Sequence, residues 1–134
     1  MLQQLTPMFF VRDIRASVKY YTEVLGFECL NIMTRCEGGE AFWASLRRGK
    51  VDIMFRLKNS VMKEEAPQYT GSFYIYVDNV DEVWEELKTK ANILYDIEDF
   101  EHQMREFAIT DPDGYVFNFG EDIESVKART GAAK

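Results

Sequence analysis

The chain has 134 residues, 46% of them hydrophobic, 14% aromatic and 29% charged, with a formal net charge of −7. That length suits one compact domain burying roughly two-thirds of the surface its unfolded chain exposes, and no apolar run approaches the ~20 residues of a membrane-spanning helix. Residues 1–70 hold ten Lys/Arg against eight Asp/Glu and residues 71–124 hold three against fifteen, so the second half repels phosphates and attracts cations. Nothing resembles the basic, aromatic-studded surface of a nucleic-acid binder, and solubility alone would account for the acidic balance. The start, MLQQLTPMFFVRD, lacks the features of a signal peptide, so a cytoplasmic protein without membrane partners is expected.

Along the chain, "TPMFFVRDIRASVKYYTEVLGF" from Thr6 reads as a short strand running directly into an amphipathic helix. Asp13 is the expected N-cap, Ile14, Val18 and Tyr21 form an apolar stripe, and Gly26 is the expected C′ residue. Three strands should follow, about 27–36, 40–47 and 51–57, with turns at Gly38-Gly39 and Arg48-Gly49. Cys29 and Cys36 fall in the first of these on opposite faces, so two buried thiols and no disulfide are expected. The polar segment 58–70 is the connection.

The pattern then repeats. "SFYIYVDNVDEVWEELKTKA" from Ser72 is again strand and helix, with Asp78 or Asn79 as N-cap and the stripe Val80, Trp84 and Leu87. Strands are expected at about 93–100, 104–110 and 115–120, the last two joined by the strong turn sequence Asp111-Pro112-Asp113-Gly114. The tail, 122–134, shows no periodicity after Ile123 and reads as frayed. The fold class is therefore α+β, two βαβββ modules spanning about 4–57 and 71–121.

Parity assigns faces to the strands. Pro7, Phe9 and Val11, like Phe73, Ile75 and Val77, should lie under the helices. Thr6, Met8 and Phe10, and Ser72, Tyr74 and Tyr76, share the opposite face, which is aromatic and weakly polar as a ligand pocket is. Packing against another sheet or subunit is the alternative use of that face. Asn118 interrupts a strand of phenylalanines, where a carboxamide must find a partner or face a cavity.

Other chemistry is sparse. The chain has no GxSxG, P-loop, GxGxxG or CxxC motif. His102, beside Glu101, could act as a general acid or base, or be an exposed loop residue. Arg105 or Glu106 could hold a polar substrate, or form an ion pair at the start of a strand. The run Asp96, Glu98, Asp99 and Glu101 would favour a cationic ligand if it edges a cavity; otherwise it protects an edge strand. Phe42, Trp43, Phe100 and Phe107 are candidate stacking surfaces, the alternative being core, where aromatics in strands usually lie.

Four features resemble the vicinal oxygen chelate superfamily, the glyoxalase, bleomycin-resistance and extradiol dioxygenase group: "VRDIRASVKYYTEVLGF", "GSFYIYVDNVDEVWEEL", "MREFAITDPDGYVFNF" and the paired βαβββ units. The resemblance implies a single domain over 1–134, with a curved sheet around a cavity that is often completed by dimerisation. Metal-dependent members carry His and Glu ligands on the first and last strands of each module. Those positions fall here on Thr6, Ser72, Asn118 and Ile53 or Met54, none of which is His, Asp, Glu or Cys. His102 is the sole histidine, so a two-His-one-carboxylate iron site is impossible in one chain.

The resemblance thus points to the metal-free bleomycin-resistance branch, whose members sequester a cationic antibiotic without turnover. The Trp-Gly typical of that branch before "REFAITDPDG" is replaced here by His102-Gln103. The expectation is a homodimer, without metal or other cofactor, binding a small cationic or aromatic molecule through Thr6, Met8, Phe10, Ser72, Tyr74, Tyr76 and Asn118. A metal-independent isomerase or lyase using His102, Glu106 or a cavity tyrosine is the alternative. A domain that contributes mainly dimerisation, with its cavity filled by side chains, is a third.

Overall fold

The computed structural model describes residues 1–59 and 61–131. Ser60 of the connection and the last three residues of the tail lie outside the described residues. The chain divides into two compact units, Met1–Gln68 and Tyr69 onward.

The first unit runs β1 (Met8–Phe10), α1 (Ile14–Glu23), β2 (Glu28–Thr34), β3 (Ala41–Arg48) and β4 (Val51–Arg56). Its sheet order is β1-β4-β3-β2, with β1 parallel to β4 and the other pairs antiparallel. Asp13 caps α1 by accepting the Ala16 amide at 3.0 Å, which satisfies one of the helix's orphan donors. The C-cap is Val24, so Leu25 is C′ and Gly26, at φ 74°, is C″ rather than the expected C′. The buried stripe contains Ile14, Ser17 and Tyr21, while Val18 is only half-buried. Tyr21 meets Phe55 and Phe27 edge-on, at centroid distances of 4.9 and 5.8 Å. Phe9, Val11, Ile53 and Phe55 are buried with it, each such side chain contributing about 1.5–3 kcal/mol by leaving water.

The second unit runs β5 (Phe73–Tyr76), α2 (Val80–Leu87), β6 (Asn92–Asp99), β7 (Met104–Thr110), β8 (Val116–Asp122) and α3 (Ile123–Thr130). Its order, β5-β8-β7-β6, repeats that of the first sheet. Asn79, rather than Asp78, caps α2 by accepting the Glu82 amide at 3.1 Å. Val80, Leu87, Phe107, Ile109, Phe117 and Phe119 form the core, and Trp84 meets Phe107 edge-on at 5.1 Å. The Asp111–Gly114 turn forms as expected: the Asp111 carboxylate accepts the amides of Asp113 and Tyr115, each at 2.9 Å. Gly114 takes φ 91°, a value that side-chain-bearing residues rarely adopt.

Two expectations are corrected and one open alternative is resolved. Residues Ile123–Thr130 of the tail are not frayed but form α3, which buries no residue and is held by charge. Arg129 reaches Glu121 at 3.0 Å and also Asp81, and Ser125 donates to Glu121 at 2.7 Å. A helix docked through ion pairs leaves no apolar period to read. The thiols are not buried: Cys29 is half-buried, and Cys36 lies beyond the end of β2 and is exposed. The position in the first unit equivalent to Asn118 is Met54, not Ile53. Met54 pairs with Met8 as Asn118 pairs with Tyr74, whereas Ile53 is buried on the helix side.

Candidate functional site

In β7 the sequence Glu106-Phe107-Ala108-Ile109-Thr110 alternates polar or small residues with large apolar ones. The pleat sends Phe107 and Ile109 under α2 and leaves Glu106 and Ala108 on the opposite face. The registers Tyr95↔Ala108, Ala108↔Asn118 and Asn118↔Tyr74 make one row across the sheet, and Glu106↔Gly120↔Tyr76 make the next. Small residues at 108 and 120 leave space that the two tyrosine rings occupy. At Gly120 a Cβ would stand 2.7 Å from Tyr74 Cζ, so the ring lies where any larger residue would put its side chain.

Glu106 is the centre of this face and is only 4% exposed. Tyr74 Oη donates to its Oε1 at 2.7 Å, Tyr95 Oη donates to its Oε2, and His102 Nε2 lies 2.7 Å from Oε1. Burial pushes the Glu106 carboxyl up, but the hydrogen bonds from Tyr95, Tyr74 and His102 outweigh it and hold it below the usual carboxylate range. A buried anion results. Burial first, and the bond to Glu106 second, push the Tyr95 phenol up to about 12 and move Tyr74 in the same direction. Both hydroxyls therefore stay protonated at neutral pH.

Proton counting fixes the Asn118 amide. Tyr95 has one hydroxyl proton and donates it to a carboxylate, so it can only accept from Asn118. Asn118 Nδ2 accordingly donates to Tyr95 Oη at 2.7 Å. Its Oδ1 is buried and has no hydrogen-bond partner among the described residues.

Of the residues singled out in sequence, the fold brings Tyr74, Asn118, His102 and Glu106 together. Tyr76 adjoins them, its ring 5.1 Å from that of Tyr74 and 77% exposed. Ser72 precedes β5 and is exposed. Thr6, Met8 and Phe10 belong to the first unit. Thr6 Oγ1 accepts from Gln4 at 3.0 Å ahead of β1, Met8 is exposed, and Phe10 is buried beneath the Arg56 guanidinium, 5.7 Å from its ring centroid. Phe100 packs beside Tyr95 and His102, while Phe107 is core. Arg105 is ion-paired, reaching Asp81 at 2.9 Å and Asp99 at 3.0 Å, whereas the basic side chain at Glu106 is that of His102. Asp96, Glu98 and Asp99 are exposed on β6, an edge strand.

Sequence reading missed Tyr95 and Gly120. The signal lay in the small residues at 108 and 120, which in neighbouring strands mark a place where large side chains lie across the sheet.

The metal positions of the related enzymes are not met by this donor set. Thr6, Ser72, Met54 and Asn118 offer neutral hydroxyls, a thioether and an amide, which hold divalent transition metals poorly. Among the described residues no group of three or more His, Cys, Asp and Glu could hold a metal ion. Nor, among them, is any helix long and apolar enough to cross a membrane.

Solved structures share the fold. TioX from Micromonospora sp. ML1 is 18% identical with a TM-score of 0.70, over 90% of this chain and 99% of its own. A glyoxalase-related enzyme from Clostridium phytofermentans is 20% identical, TM-score 0.72, over 92% and 97%. The bleomycin-binding protein of bleomycin-producing Streptomyces verticillus, solved with copper(II)-bleomycin, is 23% identical, TM-score 0.62, over 89% and 97%. No curated protein sequence matches. The chain belongs to the Glyoxalase/Bleomycin resistance protein/Dioxygenase superfamily, whose family model matches residues 3–119.

Proposed function

We propose that this protein is a metal-free small-molecule binder of the bleomycin-resistance branch, acting as a cytoplasmic homodimer whose single domain curves around a cavity. It holds a cationic or aromatic compound without turning it over. The observation that supports this reading most is the buried Glu106 anion under a tyrosine surface. A fixed negative charge beneath aromatic rings favours an amine-bearing ligand through Coulomb attraction and cation–π contact. Tyr74, Tyr76 and Asn118 would be its contacts on the second unit, with Ser72 at the rim; Thr6, Met8 and Phe10 would be those on the first. The bleomycin-binding relative makes a bleomycin-class compound the first ligand to try. Titration should be saturable and stoichiometric. Flat titrations across cationic antibiotics would overturn the reading.

A second reading is favoured by the chain His102–Glu106–Tyr74, which could carry a proton to a bound substrate. Tyr74, kept protonated, would be the acid of a metal-independent isomerase or lyase. Turnover that survives a chelator and is lost in Tyr74→Phe and His102→Ala would establish it; full activity in both variants would exclude these residues.

A further inference from the structure

The first unit carries a groove of its own, and none of its lining residues is a hydrogen-bond partner of Glu106. The registers Met33↔Trp43, Trp43↔Arg56 and Phe10↔Arg56 form one row across all four strands, on the face turned away from α1. Beside this row is an open groove of about 360 Å³. Met33, Phe42 and Trp43 give it apolar and aromatic walls, and Arg35, Arg56 and Lys58 give it three cations. Among the described residues no carboxylate lines it.

The three cations do have partners, but these carboxylates lie outside the groove's lining: Glu64 holds Arg56 at 2.6 Å, Glu40 is 3.8 Å from Arg35, and Glu65 is 3.2 Å from Lys58. Two of the pairs are weak. The side chains of Arg35 and Glu40 are 67% and 68% exposed, and those of Lys58 and Glu65 are 53% and 91% exposed. Pairs so well solvated are readily exchanged for another anion. Arg56, whose side chain is 13% exposed, is the fixed one, anchored between Glu64 and the Phe10 ring.

We infer that this groove binds a flat aromatic monoanion, an aryl carboxylate, with its rings against Trp43 and its carboxylate taken by Arg35 and Lys58 in place of Glu40 and Glu65. The volume suits one or two fused rings. The partly neutralised cations suit one negative charge better than a polyanion.

The test is a titration of the whole protein with 1-naphthoate, followed by the indole N–H resonances of Trp43 and Trp84, assigned with Trp43→Phe. The Trp43 signal should shift saturably while Trp84, packed on Phe107, stays. The neutral analogue 1-naphthalenemethanol should bind about tenfold more weakly or not at all. The double variant Arg35→Gln/Lys58→Gln, altered only at exposed side chains, should lose about tenfold in affinity for naphthoate, and raised salt should weaken the wild type likewise. An unmoved Trp43 signal, equal response to the neutral analogue, or unchanged affinity in the double variant would each overturn the inference. None of these outcomes touches the Glu106 reading, which is followed at Tyr74, Tyr95 and Asn118.

Discussion

Asn118 Nδ2 lies 2.7 Å from Tyr95 Oη, and that hydroxyl already directs its proton at Glu106. That proton stays on Tyr95 and is only shared in a hydrogen bond with the Glu106 carboxylate, so one donor orders three side chains, and any change that adds a second acceptor beside Tyr95 must break the order.

Asn118→Asp adds such an acceptor. Two carboxylates would then compete for one hydroxyl proton in a buried place, and each would disfavour ionisation of the other. The variant should lose roughly 1–3 kcal/mol of stability at pH 7 and recover part of it as pH falls, read by urea denaturation. It should gain no zinc or iron binding in equilibrium dialysis. Asn118→Leu, which removes the unpartnered Oδ1 along with the amide, should stay within about 1 kcal/mol of wild type.

Glu106 sets a pH dependence whose sign follows from its depressed carboxyl. A group held below its unfolded value of about 4.3 contributes stability that is full above that pH and is lost as pH falls through the folded value. Glu106→Gln should therefore be less stable than wild type at pH 7, and the gap should narrow as pH falls below the unfolded value of about 4.3. Parallel curves from pH 7 to pH 3 would show that Glu106 contributes no such term.

The tyrosines should titrate late. Tyr95, pushed up to about 12, contributes stability that is present below its unfolded value near 10 and lost as pH rises through about 12. Absorbance at the phenolate band should show Tyr95→Phe missing a step at the alkaline end. Loss of a step near pH 10 instead would contradict the bond to Glu106.

Gly120→Ala should act through Tyr74. The new methyl would occupy the place of the phenol ring, and because a side chain can swing aside more easily than backbone, Tyr74 should give up its bond to Glu106. A cost of about 1–3 kcal/mol is expected, falling to well under half of that in a Tyr74→Ala background. Equal costs in both backgrounds would place the strain elsewhere.

Arg129→Ala should release α3. Glu121 is 2% exposed and shared by Arg129, Ser125 and the Val80 amide, so removing the guanidinium leaves a buried anion short of its cation. A loss of roughly 2 kcal/mol is expected. Amide exchange should quicken in α3 and at Ile123, whose amide donates to the Gln103 carbonyl next to His102.

Local rules in the sequence determined a good deal. Strand period, the Ile14/Tyr21 and Val80/Leu87 stripes, Asp13 as cap and the Asp111–Gly114 turn are short-range effects, and each is legible because propensity, pattern and packing agree there. The repeat was legible too, and one histidine excludes a two-His iron site in one chain by count alone. What could not be read was whatever depends on cross-strand neighbours. Whether Ile53 or Met54 matches Asn118 turns on a register shift of one residue, which exchanges the two faces of the strand. Tyr95 joined the site only through Ala108, which lies between it and Asn118. The last helix was hidden because ion pairs to Asp81 and Glu121 hold it, and charge leaves no period in a sequence. Glu106, left open in the sequence as a substrate contact, a catalytic group or one end of an ion pair, is buried and held by two phenols and an imidazole, an arrangement that exists only once four strand segments lie side by side.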